Sequence, residues 1–118
     1  RGFIAEKSEG LTGTAVAVGG TVDITVAGAS SFQGFLTVSS THPADATVRT
    51  QTTFSVFGRG SAAPALPDFT ASIISSVNGV NPMQFTITST TNGVITFTNN
   101  HATHNAAVTM MYFGASGF

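Results

Sequence analysis

Apolar side chains return at every second position along most of this chain, the period of a β-strand with one face turned to a core. In residues 21–26, Val22, Ile24 and Val26 fall opposite Thr21, Asp23 and Thr25. Residues 47–57 set Val48, Thr50, Thr52, Phe54 and Val56 against Arg49, Gln51, Thr53 and Ser55. In residues 32–38, Phe32, Gly34, Leu36 and Val38 share one side with Phe35 on the other, so both faces of that strand are expected to be covered. Residues 14–18 form a shorter strand, and residues 69–77 align Phe69, Ala71, Ile73, Ser75 and Val77. Residues 83–89 align Met83, Phe85 and Ile87, the next run aligns Ile95 and Phe97, and residues 106–113 set Val108, Met110 and Tyr112 against Ala107, Thr109, Met111 and Phe113.

Turn signals separate these runs. Gly19-Gly20, residues 42–45 and the group Asn78, Gly79, Asn81 and Pro82 each end a strand. Asn92-Gly93 between two alternating runs marks a hairpin, because both residue types tolerate positive φ. Residues 58–67, with two Gly and two Pro, read as the longest loop. About eight strands spaced by roughly 8 to 12 residues predict an all-β fold, an antiparallel β-sandwich of jelly-roll-like type. Helix formers are correspondingly scarce: Val and Ile number 17 against 3 Leu. No period of 20 to 50 residues repeats, which excludes a solenoid or propeller. A length of 118 residues fits one domain, divided here into an extended arm or linker at 1–13 and a single sandwich at 14–118. A first residue of Arg rather than Met is what a processed product or a fragment would show.

Charge sets the next constraint. Charged residues make up 8% of the chain, against about 25% in an ordinary soluble domain, and the net charge is −1. That is too little positive charge to neutralise a run of phosphates or an anionic lipid surface, so neither nucleic acid nor a membrane is expected as a partner. Isolated sheets protect their edges with Lys, Glu or Pro, and these Thr/Ser/Val strands carry almost none. Copies of the chain covering one another's edges are the economical solution, so a homo-oligomer is expected. Cysteine is absent, which leaves packed apolar area and partner subunits as the sources of stability. Ten Phe are enough to build a core.

The C-terminal run NGVITFTNNHATHNAAVTMMYFGA (92–115), together with GGTVDITV (19–26) and FQGFLTVSS (32–40), resembles the β-sandwich modules of bacteriophage tail fibres, head fibres and capsid decoration proteins. The resemblance extends over most of residues 14–115. It implies a structural protein of the virion surface, trimeric as such modules often are, with an N-terminal segment that attaches to other virion proteins and loops that touch a host-surface glycan. For assembly, the expected residues are Phe3 and Ile4 in the arm and Met110, Met111, Tyr112 and Phe113 in the last strand. For loop contacts they are Arg59, Asn99, Asn100, His101 and His104.

No residue pattern points to catalysis or to a cofactor. There is no Gly-x-Ser-x-Gly elbow, and the acids on or near the predicted strands are Asp23, Asp45 and Asp68, two of which folding would have to bring face to face to make a glycosidase pair. Gly58-Arg59-Gly60 lacks the Lys-Ser/Thr and the helix of a phosphate loop. His101 and His104 have a metal-ligand spacing but no third ligand nearby, so metal ligation would need three copies around an axis; solvent-exposed loop histidines are the expectation, and His42 beside Pro43 reads as a turn residue. Two rival functions remain, a carbohydrate-binding module and a self-assembling surface-layer or filament subunit. The first has loop amides at Asn78, Asn81, Asn92, Asn99, Asn100 and Asn105 to offer, but no Trp and a single Tyr inside a strand, and so no aromatic platform for a sugar.

Overall fold

The computed structural model describes residues 5–26, 31–58, 69–91 and 93–116. Eight strands make two antiparallel sheets packed as a sandwich, with no helix among the described residues. In chain order they are β1 (Ala5–Val16), β2 (Thr21–Thr25), β3 (Phe32–His42), β4 (Asp45–Gly58), β5 (Phe69–Asn78), β6 (Phe85–Thr91), β7 (Val94–Asn99) and β8 (Ala106–Ser116). The large sheet runs β1-β8-β3-β4-β5 and the small one β2-β7-β6. The molecule is elongated, 49 × 24 × 20 Å, because the long strands of the large sheet lie side by side.

The alternation seen in the sequence is the alternation of burial. Leu36 and Val38 on β3, Val108, Met110 and Tyr112 on β8, and Ile95 and Phe97 on β7 are all 0–1% exposed and fill the space between the sheets. Burying each such aliphatic or aromatic side chain contributes about 1.5–3 kcal/mol. Phe85 lies nearly parallel to Phe97 at 5.2 Å and meets Phe54 edge-on at 6.5 Å, so β6, β7 and β4 interlock through their rings. Between β1 and β2 the chain reverses in a type II turn: Gly20 N–H donates to the Ala17 carbonyl at 2.8 Å, and Gly19, at φ 76°, occupies the position that requires positive φ.

Two expectations change. Residues 5–13, read as arm, are most of β1, which pairs with β8 from Ala5↔Ser116 to Val16↔Ala106. Their charges and glycines hide the alternation, and only a partner strand from the other end of the chain makes them part of the sheet. In β5 the expected single face is broken. Thr53 pairs with Ser75 while Phe54 pairs with Ile73, so Ile74 is extra and Val77 passes to the outer side, opposite Gln51. The loop at 58–67 lies, beyond Gly58, outside the described residues.

The ends of the sandwich differ. One end gathers Ala5, Phe32, Gly58, Phe69 and the β6–β7 hairpin; the other gathers the β1–β2 turn, the β3–β4 turn and the segments 79–84 and 100–105. Segment 79–84 crosses from the large sheet to the small one. It is held on the way by Arg49 N–H to the Asn81 carbonyl (2.9 Å) and Gly79 N–H to the Arg49 carbonyl (2.9 Å).

Candidate functional site

The small sheet covers one face of the large sheet, and the opposite face is open. Its outward positions on β8 and β3, on β4 from Gln51 onward and on β5 carry no charged residue. Threonine and serine dominate there, as in the Thr37–Thr53 hydroxyl pair at 3.3 Å. Besides Val77 on the edge strand β5, four large apolar side chains stand among them: Phe35 (55% exposed), Phe57 (42%), Met111 (62%) and Phe113 (61%). Strand register brings them together. Phe35 pairs with Phe113 across β3 and β8, and Phe57 pairs with Gln33, two residues before Phe35.

The three rings surround a cleft of ≈ 520 Å³ whose walls also include Gln33, Ser55 and Ala115. Its floor is backbone at Gly34 and Gly114, which face each other across β3 and β8. A Cβ on Gly34 would lie 2.7 Å from the Gly114 Cα and against the Phe113 carbonyl oxygen, so only paired glycines let the strands approach this closely. On the core side the same gap admits the Tyr112 hydroxyl, which donates to the carbonyls of Gln33 (2.9 Å) and Ala115 (3.0 Å). Burial pushes the Tyr112 phenol up to about 12.

A second apolar groove, of ≈ 380 Å³, opens between the free edges of the two sheets, with Phe54 and Met83 at its base and Ile73 and Phe85 on its rims. The small sheet does not extend over β5, and Ile73, although on the inner side, stays 66% exposed. With Ile74 and Val77 also exposed and no charged residue in its ten positions, β5 is the large sheet's less protected edge.

At the opposite end three histidines stack. The His104 ring lies 4.1 Å from His42 (14° between planes) and 4.6 Å from His101 (19°). Nearly parallel rings aim their nitrogen lone pairs along parallel planes instead of at one point, and among the described residues no group of three or more His, Asp or Glu is arranged to hold a metal ion. Buried Asn99 organises the loop. Its Nδ2 donates to the carbonyls of Val16 (3.2 Å) and His104 (3.0 Å), and its Oδ1 accepts from His101 N–H (3.0 Å). The His101 Nδ1 accepts from the backbone N–H of Thr103 (3.3 Å) and His104 (3.2 Å). Desolvation, followed by the neighbouring His42 and His101, lowers the His104 pKa, against the raising effect of Asp45. The Asp45 carboxyl is itself held down by hydrogen bonds from the Thr47 hydroxyl (2.7 Å) and N–H (3.0 Å).

The residues singled out from sequence therefore divide. Met111 and Phe113 face outward in the aromatic cluster, whereas Met110 and Tyr112 are buried in the chain's own core. Asn99 is fully buried, so it holds the loop and offers no surface contact. Asn100 is exposed and its Nδ2 donates to the Thr86 hydroxyl (3.0 Å). His101 and His104 are half-buried and stacked. Phe3, Ile4 and Arg59 lie outside the described residues. Sequence reasoning missed His42 as a member of the stack, and missed Phe35 and Phe57 as partners of Phe113. Phe35 on the odd side of an otherwise regular strand was the available signal.

The fold has a relative. The tailspike protein of Acinetobacter phage vB_ApiP_P1 matches with a TM-score of 0.51 and 19% sequence identity over 93% of this chain. At that identity the likeness is one of fold, and the chain spans 21% of the tailspike's length. No family model and no curated protein sequence matches the chain.

Proposed function

We propose that this chain is a structural module of a bacteriophage virion surface that works by assembling with copies of itself and presenting its loops outward, without catalytic turnover. The observation that carries the reading is the open face of the large sheet: free of charge on β8, β3, β5 and β4 from Gln51 onward, rich in Thr and Ser, and centred on Phe35, Phe57, Met111 and Phe113. The shared sandwich fold of a phage tailspike segment supports the virion setting. Multivalent attachment and mechanical reinforcement are functions that need a rigid repeated surface and no reactive groups. Antibodies raised against the purified chain should label intact particles of the phage that encodes it in immunogold electron microscopy. Particles left unlabelled, with the chain present only in the soluble lysate, would refute the virion assignment.

A glycan ligand is the second reading. The cleft supplies the aromatic walls whose absence counted against it in the sequence, and Gln33 and Ser55 add an amide and a hydroxyl beside them. Titration of the chain with host-surface polysaccharide tests it: binding weakened by Phe35→Ala supports a sugar site, and no heat of binding removes it.

A further inference from the structure

We infer that the open face of the large sheet docks face to face on the same face of a second copy of this chain, related by a two-fold axis. The inference rests on the self-assembly reading above and names its surface and partner.

Size is the first argument. Five strands spaced about 4.8 Å apart, each rising about 3.4 Å per residue over roughly eleven residues, present a face on the order of 900 Å². One partner in a stable, standard-size interface contributes about 800 Å². At their observed exposures the three phenylalanines leave on the order of 300 Å² of aromatic surface in water, already the scale of the largest apolar patch on a typical monomer.

Charge is the second. A face buried against its own copy meets its own charges, so any charged group near its centre would be repelled or stranded without water. The outward positions described above are free of charge; Arg49 and Asp45 lie toward the histidine end of β4, and Glu6, in register with Ala115, lies on the edge strand β1. Threonine and serine hydroxyls can pair across such a contact without that cost.

Shape is the third. A two-fold interface must be self-complementary, because one patch serves both partners. This face carries both halves of such a fit. Met111 and Phe113 project from β8, and the cleft floored by backbone at Gly34 and Gly114 is recessed beside them. An aromatic-and-methionine centre ringed by small hydroxyl residues is also the composition of protein interfaces, in which a few large side chains dominate the binding energy.

The test is the native mass of the chain by sedimentation across a dilution series from millimolar to nanomolar, with two variants. The expected mass is about 24 kDa, twice the 12.0 kDa of one chain. Ser55→Lys adds a charge at a position exposed in the single chain and should raise the dissociation midpoint about 30-fold or more without altering the circular dichroism. Phe35→Ser combined with Phe113→Ser should do the same by removing the apolar centre. A 12.0 kDa species throughout would overturn the docking, as would a dimer unaffected by Ser55→Lys. A species of about 36 kDa, three times 12.0 kDa, would overturn the two-fold arrangement. A dimer whose chain is missing from particles would sink the virion reading and leave the docking intact; labelled particles built from a monomeric chain would do the reverse.

Discussion

Replacing Tyr112 with Phe isolates one hydroxyl at the seam between β3 and β8. The ring remains, still edge-on to Phe32 at 6.2 Å and 83°, so packing is unchanged to first order. What disappears is a proton shared between the carbonyls of Gln33, at 2.9 Å, and Ala115, at 3.0 Å. One net hydrogen bond contributes about 0.5–1.5 kcal/mol, and leaving two half-buried carbonyls short of a donor adds to the loss, so the cost should be about 1–2 kcal/mol. With an unfolding entropy of about 2.1 cal/mol/K per residue, each kcal/mol lowers the Tm of a chain this size by about 4 °C, which places the variant roughly 4–8 °C below the parent in a calorimetric scan. A second readout belongs to Tyr112 alone, because the chain has one Tyr and no Trp and its tyrosinate absorbance is undiluted. Burial holds the phenol at about 12 in the folded chain, against about 10 when unfolded. A raised acid pKa gives stability that is complete below pH 10 and is lost as pH climbs from about 10 to about 12, because there the unfolded chain releases a proton the native one keeps. Tyr112→Phe should abolish that alkaline loss. A native titration midpoint near 10, or a variant with unchanged Tm, would refute the placement of this hydroxyl between two carbonyls.

Three further outcomes follow from other parts of the fold. Gly34→Ala would drive a Cβ into the Phe113 carbonyl and to 2.7 Å from the Gly114 Cα, all backbone, so β3 and β8 must separate; denaturant unfolding should show a loss of about 1–3 kcal/mol or more. Asn99→Ala removes two donated and one accepted hydrogen bond at a fully buried site and should cost roughly 2–3 kcal/mol, with hydrogen exchange accelerated at His101 and His104 N–H, the latter through the loop it organises. The lowered His104 pKa means that the unfolded chain binds a proton more readily, so stability is full above about pH 6.5 and falls as pH drops through the lower native value. Urea midpoints measured from pH 8 to pH 5 should show that fall, and His104→Gln should flatten it; an equal fall in the variant would remove the stack as its source.

The sequence by itself determined where the strands lie and which way their side chains alternate, because a period of two is local geometry that each residue's neighbours enforce. Phe54, Val56, Val108, Met110 and Tyr112 are buried as that alternation requires, and Gly93 turns between β6 and β7 at φ 73° as the hairpin signal requires. Tertiary structure decided everything that depends on which strands become neighbours. Residues 5–13 carry no alternation of their own and join the sheet only because β8 offers them an edge about a hundred positions later. The extra residue at Ile74 moves Val77 to the outer side of β5, a choice made by pairing with β4 and invisible in the run itself. The same holds for the aromatic cluster and the histidine stack. Phe35, Phe57 and Phe113 form one cluster because β8, β3 and β4 lie side by side, and His42 and His101 both stack on His104 because a turn of the large sheet and a loop following the small sheet end at the same corner. Strand identity is set by interactions between adjacent residues, whereas sheet order and register are set by closing long loops over a shared core, and the sites here are products of that closure.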